Sequence, residues 1–87
     1  MAYQVEFSAS AAREFRKLPA AVRASLAPRI DALARNPRPS MTKKLVGESN
    51  GWRLRIGDYR ILYEIRDSNY RVLIVTIGHR REVYRRR

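Results

Sequence analysis

Arg53 and Arg55 flank Leu54 in a stretch, Trp52-Arg53-Leu54-Arg55-Ile56, that alternates apolar and basic residues. In an extended strand a spacing of two sends both guanidinium groups to one face and the apolar side chains to the other. Arg60 opens the next alternating stretch, and Arg80 and Arg81 follow the last one. If these stretches pair as neighbouring strands, the cations line one concave side of a sheet. Guanidinium is a planar fork that grips phosphate bidentately. Several such groups around one phosphodiester would stabilise the charge that builds on a pentacovalent phosphorane. The same pattern also fits a solvated outer face of a half-buried sheet.

Two other side chains near this cluster could handle protons or bases. Tyr84 can stack on an unpaired base or orient a 2′-hydroxyl, and it can equally be a packed amphipathic tyrosine. His79 is the single histidine; it can exchange a proton near neutral pH, or be structural. The paired-histidine arrangement of acid–base ribonucleases is therefore absent. No zinc-ligand spacing, phosphate-binding glycine loop or nucleophile elbow occurs. With no cysteine and one histidine, a transition-metal site is not expected. The eight carboxylates are scattered, without a two-metal cluster. Glu64, in mid-strand, reads as a salt-bridge partner of a neighbouring arginine. No cofactor is expected.

Composition points to a polyanion. Nineteen Lys and Arg against eight Asp and Glu give a formal charge of +11 on 87 residues, and sixteen of the nineteen are arginine. A small arginine-rich domain fits nucleic acid first, an acidic protein second and an anionic membrane last. A hydrophobic fraction of 45% is ordinary for a globular protein. No apolar run is long enough to span a bilayer. Met-Ala-Tyr-Gln-Val-Glu-Phe lacks the pattern of a signal peptide, so a cytoplasmic location is expected. Residues 1–87 read as one domain, without repeat or linker.

The elements that would position the cations follow from periodicity. Tyr3 to Phe7 alternates as a short strand. Ser8 or Ser10 can cap a helix carrying Ala11, Phe15 and Leu18 on one side. Pro19 separates it from a second helix with Val22, Leu26, Ile30 and Leu33 on one stripe, continuous across Pro28 with a kink. Residues 36–51 read as an irregular connection, with turn signals at Gly47 and Asn50-Gly51. Three strands follow, around Trp52–Ile56, Tyr59–Arg66 and the nearly continuous apolar run Val72–Ile77, joined by short turns as an antiparallel meander. The expected fold is α+β, in the order β-α-α-β-β-β: a helical hairpin packed on a curved, mainly antiparallel four-stranded sheet.

Four segments, in order, resemble one known family. They are Ser8-Ala9-Ser10-Ala11-Ala12-Arg13-Glu14-Phe15-Arg16-Lys17-Leu18-Pro19, Lys44-Leu45-Val46-Gly47, Trp52 to Tyr63, and Ile77-Gly78-His79-Arg80-Arg81-Glu82-Val83-Tyr84. Together they are similar to the RelE/ParE toxin superfamily over nearly the whole chain. The resemblance implies a toxin of a toxin–antitoxin pair that cuts mRNA in the ribosomal A site without metal. Attack of a 2′-hydroxyl would leave a 2′,3′-cyclic phosphate and a 5′-hydroxyl. Family site positions fall on Arg53, Arg55, Arg60, Arg80 and Tyr84. Lys43, Lys44, His79, Arg81 and Arg85 are expected to contact RNA. The implied partners are a cognate antitoxin and mRNA on the ribosome, and no membrane. Positions 53 and 55 are arginine where several members carry lysine, and arginine, with a pKa above about 12, is a poor general base. Two alternatives share the fold: a ParE-like DNA gyrase poison without nuclease activity, and a non-catalytic RNA-binding module.

Overall fold

The computed structural model describes residues 2–47 and 49–83. The chain begins as strand β1, Gln4–Phe7, and enters helix α1, Ala9–Lys17, at once. Ser8 makes that switch. Its Oγ accepts the Ala11 N–H at 3.0 Å as an N-cap and donates to the Val75 carbonyl at 3.0 Å, so the helix start is fastened to the far end of the chain. Helix α1 stops at Leu18, ahead of Pro19. The Arg23 guanidinium donates to the Leu18 and Arg16 carbonyls, satisfying acceptors that a helix C-terminus leaves open. Helix α2, Ala20–Ala32, runs through Pro28, an exposed residue. The carbonyl that Pro28 cannot bond therefore lies on the solvent side.

Strands β2, Thr42–Lys44, β3, Gly51–Ile56, β4, Tyr59–Arg66, and β5, Arg71–His79, complete one sheet in the order β1-β5-β4-β3-β2. The sheet has five strands where four were expected. The added strand, β2, lies in the segment read as irregular and pairs antiparallel with β3. A three-residue edge strand with two lysines has no periodicity to betray it, and such short charged edges are how sheets avoid pairing with other chains. Strands β2 to β5 form an antiparallel meander, and β1 joins β5 in parallel. Gly57, at φ +58°, opens the two-residue turn between β3 and β4, a position that favours glycine.

Both helices cover one face of the sheet. Leu26, Ile30 and Leu33 of the second helical stripe and Ala11 of α1 pack on Leu54, Ile61, Tyr63, Ile65, Val72, Ile74 and Ile77. Leu54, Ile61, Tyr63 and Ile65 are among the residues that the alternation of β3 and β4 assigned to the inner side. Tyr63 is buried and its hydroxyl donates to the Pro37 carbonyl at 2.7 Å; burial raises its pKa. Tyr63→Phe leaves that buried carbonyl without a donor. It is expected to cost about 1–3 kcal/mol in urea unfolding.

A second tether holds the same connection. Asp67 accepts from Arg38 (2.8 and 3.3 Å) and from the Tyr3 hydroxyl (2.5 Å), and Arg38 lies 5.1 Å above the Trp52 ring. The Arg38 bonds, then that from Tyr3, hold the Asp67 carboxyl below its usual pKa. The connection after α2 is thereby tied to the sheet before it enters β2.

Candidate nucleic-acid interface

The face away from the helices collects positive charge row by row. Residues paired across strands share a face. Lys43 of β2 lies opposite Arg53 of β3. Arg55 of β3 lies opposite Arg60 of β4. Like charges directly opposite one another destabilise a sheet, yet two such pairs stand side by side here. A cleft of about 290 Å³ opens beside them, lined by Ser40, Met41, Thr42, Lys43, Arg53 and Arg55. The Arg60 guanidinium donates to the carbonyls of Gly57 (2.9 Å) and Tyr59 (3.0 Å), which draws it toward the hairpin turn.

Ion pairs form farther along the sheet. Glu6 pairs with Arg71, Asp67 with Arg38 and Glu64 with Arg66, the last as expected from its mid-strand position. Among the described residues no ion pair includes Lys43 or Arg55. A face that gathers four cations against local Coulomb repulsion carries a positive potential that attracts anions.

A β-bulge decides what β5 adds to this face. Leu62 pairs with Thr76 but Tyr63 pairs with Ile74, so Val75 is one residue too many. Before the bulge Val72 and Ile74 face the helices; beyond it Ile77 does. The extra residue reverses the phase, as bulges do when they re-aim side chains. Gly78 therefore stands opposite Arg60 on the outer face, and His79 opposite Tyr59 on the helix side. The next residue, Arg80, donates its N–H to the Asp58 carbonyl at 2.7 Å, and its Nε lies 3.9 Å from the Asp58 carboxylate. These contacts hold Arg80, the first residue after β5, beside the β3–β4 turn, at the end of the sheet that carries Arg55 and Arg60.

The same geometry separates other residues from the cluster. Lys44 pairs with Trp52, on the face opposite Lys43. His79 meets the Tyr59 ring edge-on at 5.9 Å, and its Nδ1 accepts the Arg81 N–H at 3.3 Å. It lines a larger cleft of about 670 Å³ with Ser10, Arg13, Lys17 and Tyr59, on the helix side of β5. Glu14 is in that cleft too, with its carboxylate accepting the Ile77 N–H at 2.9 Å. Arg81 is exposed in the turn after β5. Tyr84 and Arg85 lie outside the described residues. Among the described residues no three His, Asp or Glu side chains gather where they could hold a metal ion, and no helix is long and apolar enough to cross a membrane.

Residues 5–84 match the family described as the ParE toxin of the type II toxin–antitoxin system parDE. The chain belongs to the RelE/ParE toxin superfamily. It is 36% identical to the toxin RelG of Mycobacterium tuberculosis, over 99% of this chain and 100% of that one. It is 33% identical to the mRNA interferase toxin RelE of Escherichia coli K12, over 97% and 92% of the two chains. The M. tuberculosis toxin–antitoxin complex RelBE2 contains a chain with the same fold. Its TM-score is 0.80 at 32% identity, covering 91% of this chain and 92% of that one. With these relatives the protein is a RelE-like toxin of a toxin–antitoxin pair, and its partner is a cognate antitoxin.

In this RelE-like toxin, His79→Ala is expected to leave RNA cleavage within about threefold of the parent, because the bulge turns His79 away from the cation face. A kinetic comparison on one RNA substrate checks it. The fully buried Leu62 and Val83 are the residues that sequence reasoning missed. Leu62 interrupts the cations of the outer face, and an isolated leucine within a half-apolar strand carries no signal of its own.

Proposed function

We propose that this toxin is a ribosome-dependent endoribonuclease that cleaves mRNA by 2′-hydroxyl attack. The two like-charged cross-strand pairs, Lys43–Arg53 and Arg55–Arg60, carry the reading. They concentrate guanidinium groups where a bent phosphodiester can meet several at once. The 2′-hydroxyl gives its proton to water as its oxygen bonds to phosphorus, the bond to the 5′-oxygen breaks, that oxygen takes up a proton, and a 2′,3′-cyclic phosphate and a 5′-hydroxyl result. Arg53, Arg55 and Arg60 stabilise the equatorial oxygens of the phosphorane. Arg80 assists the departing 5′-oxygen, and Tyr84 orients the nucleotide. None of these arginines is a base, so rate acceleration rests on charge and on alignment of the message by the ribosome. Lys43 and Arg81 add phosphate contacts. The mRNA interferase relative in E. coli supports this reading. The site of action is the cytoplasm, where translation runs, and the antitoxin presents acidic groups to the same face.

Primer extension on mRNA from cells briefly expressing the toxin, and on the same mRNA in vitro with and without ribosomes, tests it. Cuts inside codons that require ribosomes are the expected result. Growth arrest with intact mRNA and broken DNA would replace it with the gyrase-poison reading. RNA binding that weakens steeply with salt, without any cyclic-phosphate product, would leave a binding module.

A further inference from the structure

Leu62 and Val83 are both fully buried, yet neither belongs to the core beneath the helices. Leu62 lies between Ile61 and Tyr63, which point into that core, so strand alternation sends it to the cation face. Its cross-strand neighbours there are Arg53 and Thr76. Thr76 is only 7% exposed, so this side of the sheet is covered locally although both helices pack on the other. The chain after β5 supplies a cover. Glu82 and Val83 both donate their N–H groups to the His79 carbonyl, at 2.8 and 3.0 Å, closing a single turn. Arg80, Arg81 and Glu82 of that turn are exposed and Val83 alone is buried. A turn that hides one aliphatic side chain and leaves its charged neighbours in water is docked through that side chain.

We propose that Val83 packs on Leu62 as a separate apolar anchor on the cation face, and that Val83 is a positioning residue. It fixes the turn that follows β5. In sequence Tyr84 comes next, then three arginines. The anchor also sets Arg80, three residues earlier, against the β3–β4 turn. A small apolar contact amid cations thus converts a surface patch into a fixed array, and preorganisation of this kind raises turnover more than binding. The kinetic part of this inference rests on the RNA-cleavage reading; the structural part does not.

Two measurements on the full chain decide it. The first is limited trypsin digestion, read by mass spectrometry at the bonds after Arg80 and Arg81. Val83→Ala and Leu62→Ala are each expected to speed these cuts by about tenfold or more relative to total digestion, while Val83→Ile restores protection. The double variant should be no faster than either single one, since both remove the same contact. The second is cleavage kinetics. Both alanine variants should lose about tenfold or more in kcat with KM nearly unchanged. Ile30→Val, which shortens a side chain in the helix-side core, should keep parental kcat. Protection unchanged in Leu62→Ala, or effects that add in the double variant, would overturn the anchor. Faster digestion with parental kcat would overturn the positioning role. If the parent cuts no RNA, the cleavage reading falls, and the digestion pattern still decides the contact.

Discussion

Arg55→Gln is expected to lower RNA cleavage by about a hundredfold and to raise thermal stability in the same protein. The two effects have one source. Arg55 stands directly opposite Arg60 on the outer face, and relieving a like-charged cross-strand pair returns about 0.2–1 kcal/mol. For a domain of this size that is a rise of roughly 1–8 °C in Tm. A hundredfold loss in kcat/KM corresponds to about 2.7 kcal/mol of transition-state stabilisation, so the site gives up a little stability for a larger catalytic return. An arginine that merely solubilised the sheet would change cleavage little. One that held the sheet together would lower both quantities. Arg60→Gln is the less clean variant, because it also removes the bonds to the Gly57 and Tyr59 carbonyls. The double variant should show less than the sum of the two stability gains, since the repulsion can be relieved only once. Calorimetry and single-turnover cleavage on the same preparations check both halves.

Leu54→Ala is expected to have the largest effect on stability. Leu54 is fully buried between Arg53 and Arg55 and packs into the core beneath the helices. Truncating a buried leucine costs about 2–5 kcal/mol, the spread depending on how far the cavity collapses. A small domain holds only about 5–15 kcal/mol in total, so a large share of the population unfolds under mild urea. The midpoint should fall with little change in slope. Near-parental cleavage per folded molecule, after correction for the folded fraction, would show that Leu54 only holds β3 in place. A cleavage loss well beyond that correction would show that the pitch of β3 also sets the aim of its two arginines.

Much of this protein is set by local alternation and helical periodicity. Trp52 to Ile56 places Arg53 and Arg55 on one face whatever the strand pairs with, because the side-chain period of a strand is two. The helical stripe from Val22 to Leu33, a serine cap at Ser8 or Ser10 and the glycine turn at Gly57 are equally local. The family is legible in the order and spacing of four segments. What tertiary structure alone decided is phase and pairing. Val72 to Ile77 is apolar on nearly every residue, so the run carries no mark of which side chain faces which way. Only the extra residue at Val75, seen against β4, puts Gly78 opposite Arg60 and turns His79 to the helix side. Lys43 and Lys44 are adjacent in sequence, and only the register of β2 on β3 sends one to the cation face and the other away. Val83 sits in a stretch dominated by charge, and its burial depends on a turn folding back after β5. Alternation is a property of each segment, whereas register, bulges and return turns are contacts between segments far apart in the chain, and those contacts exist only once the sheet has formed.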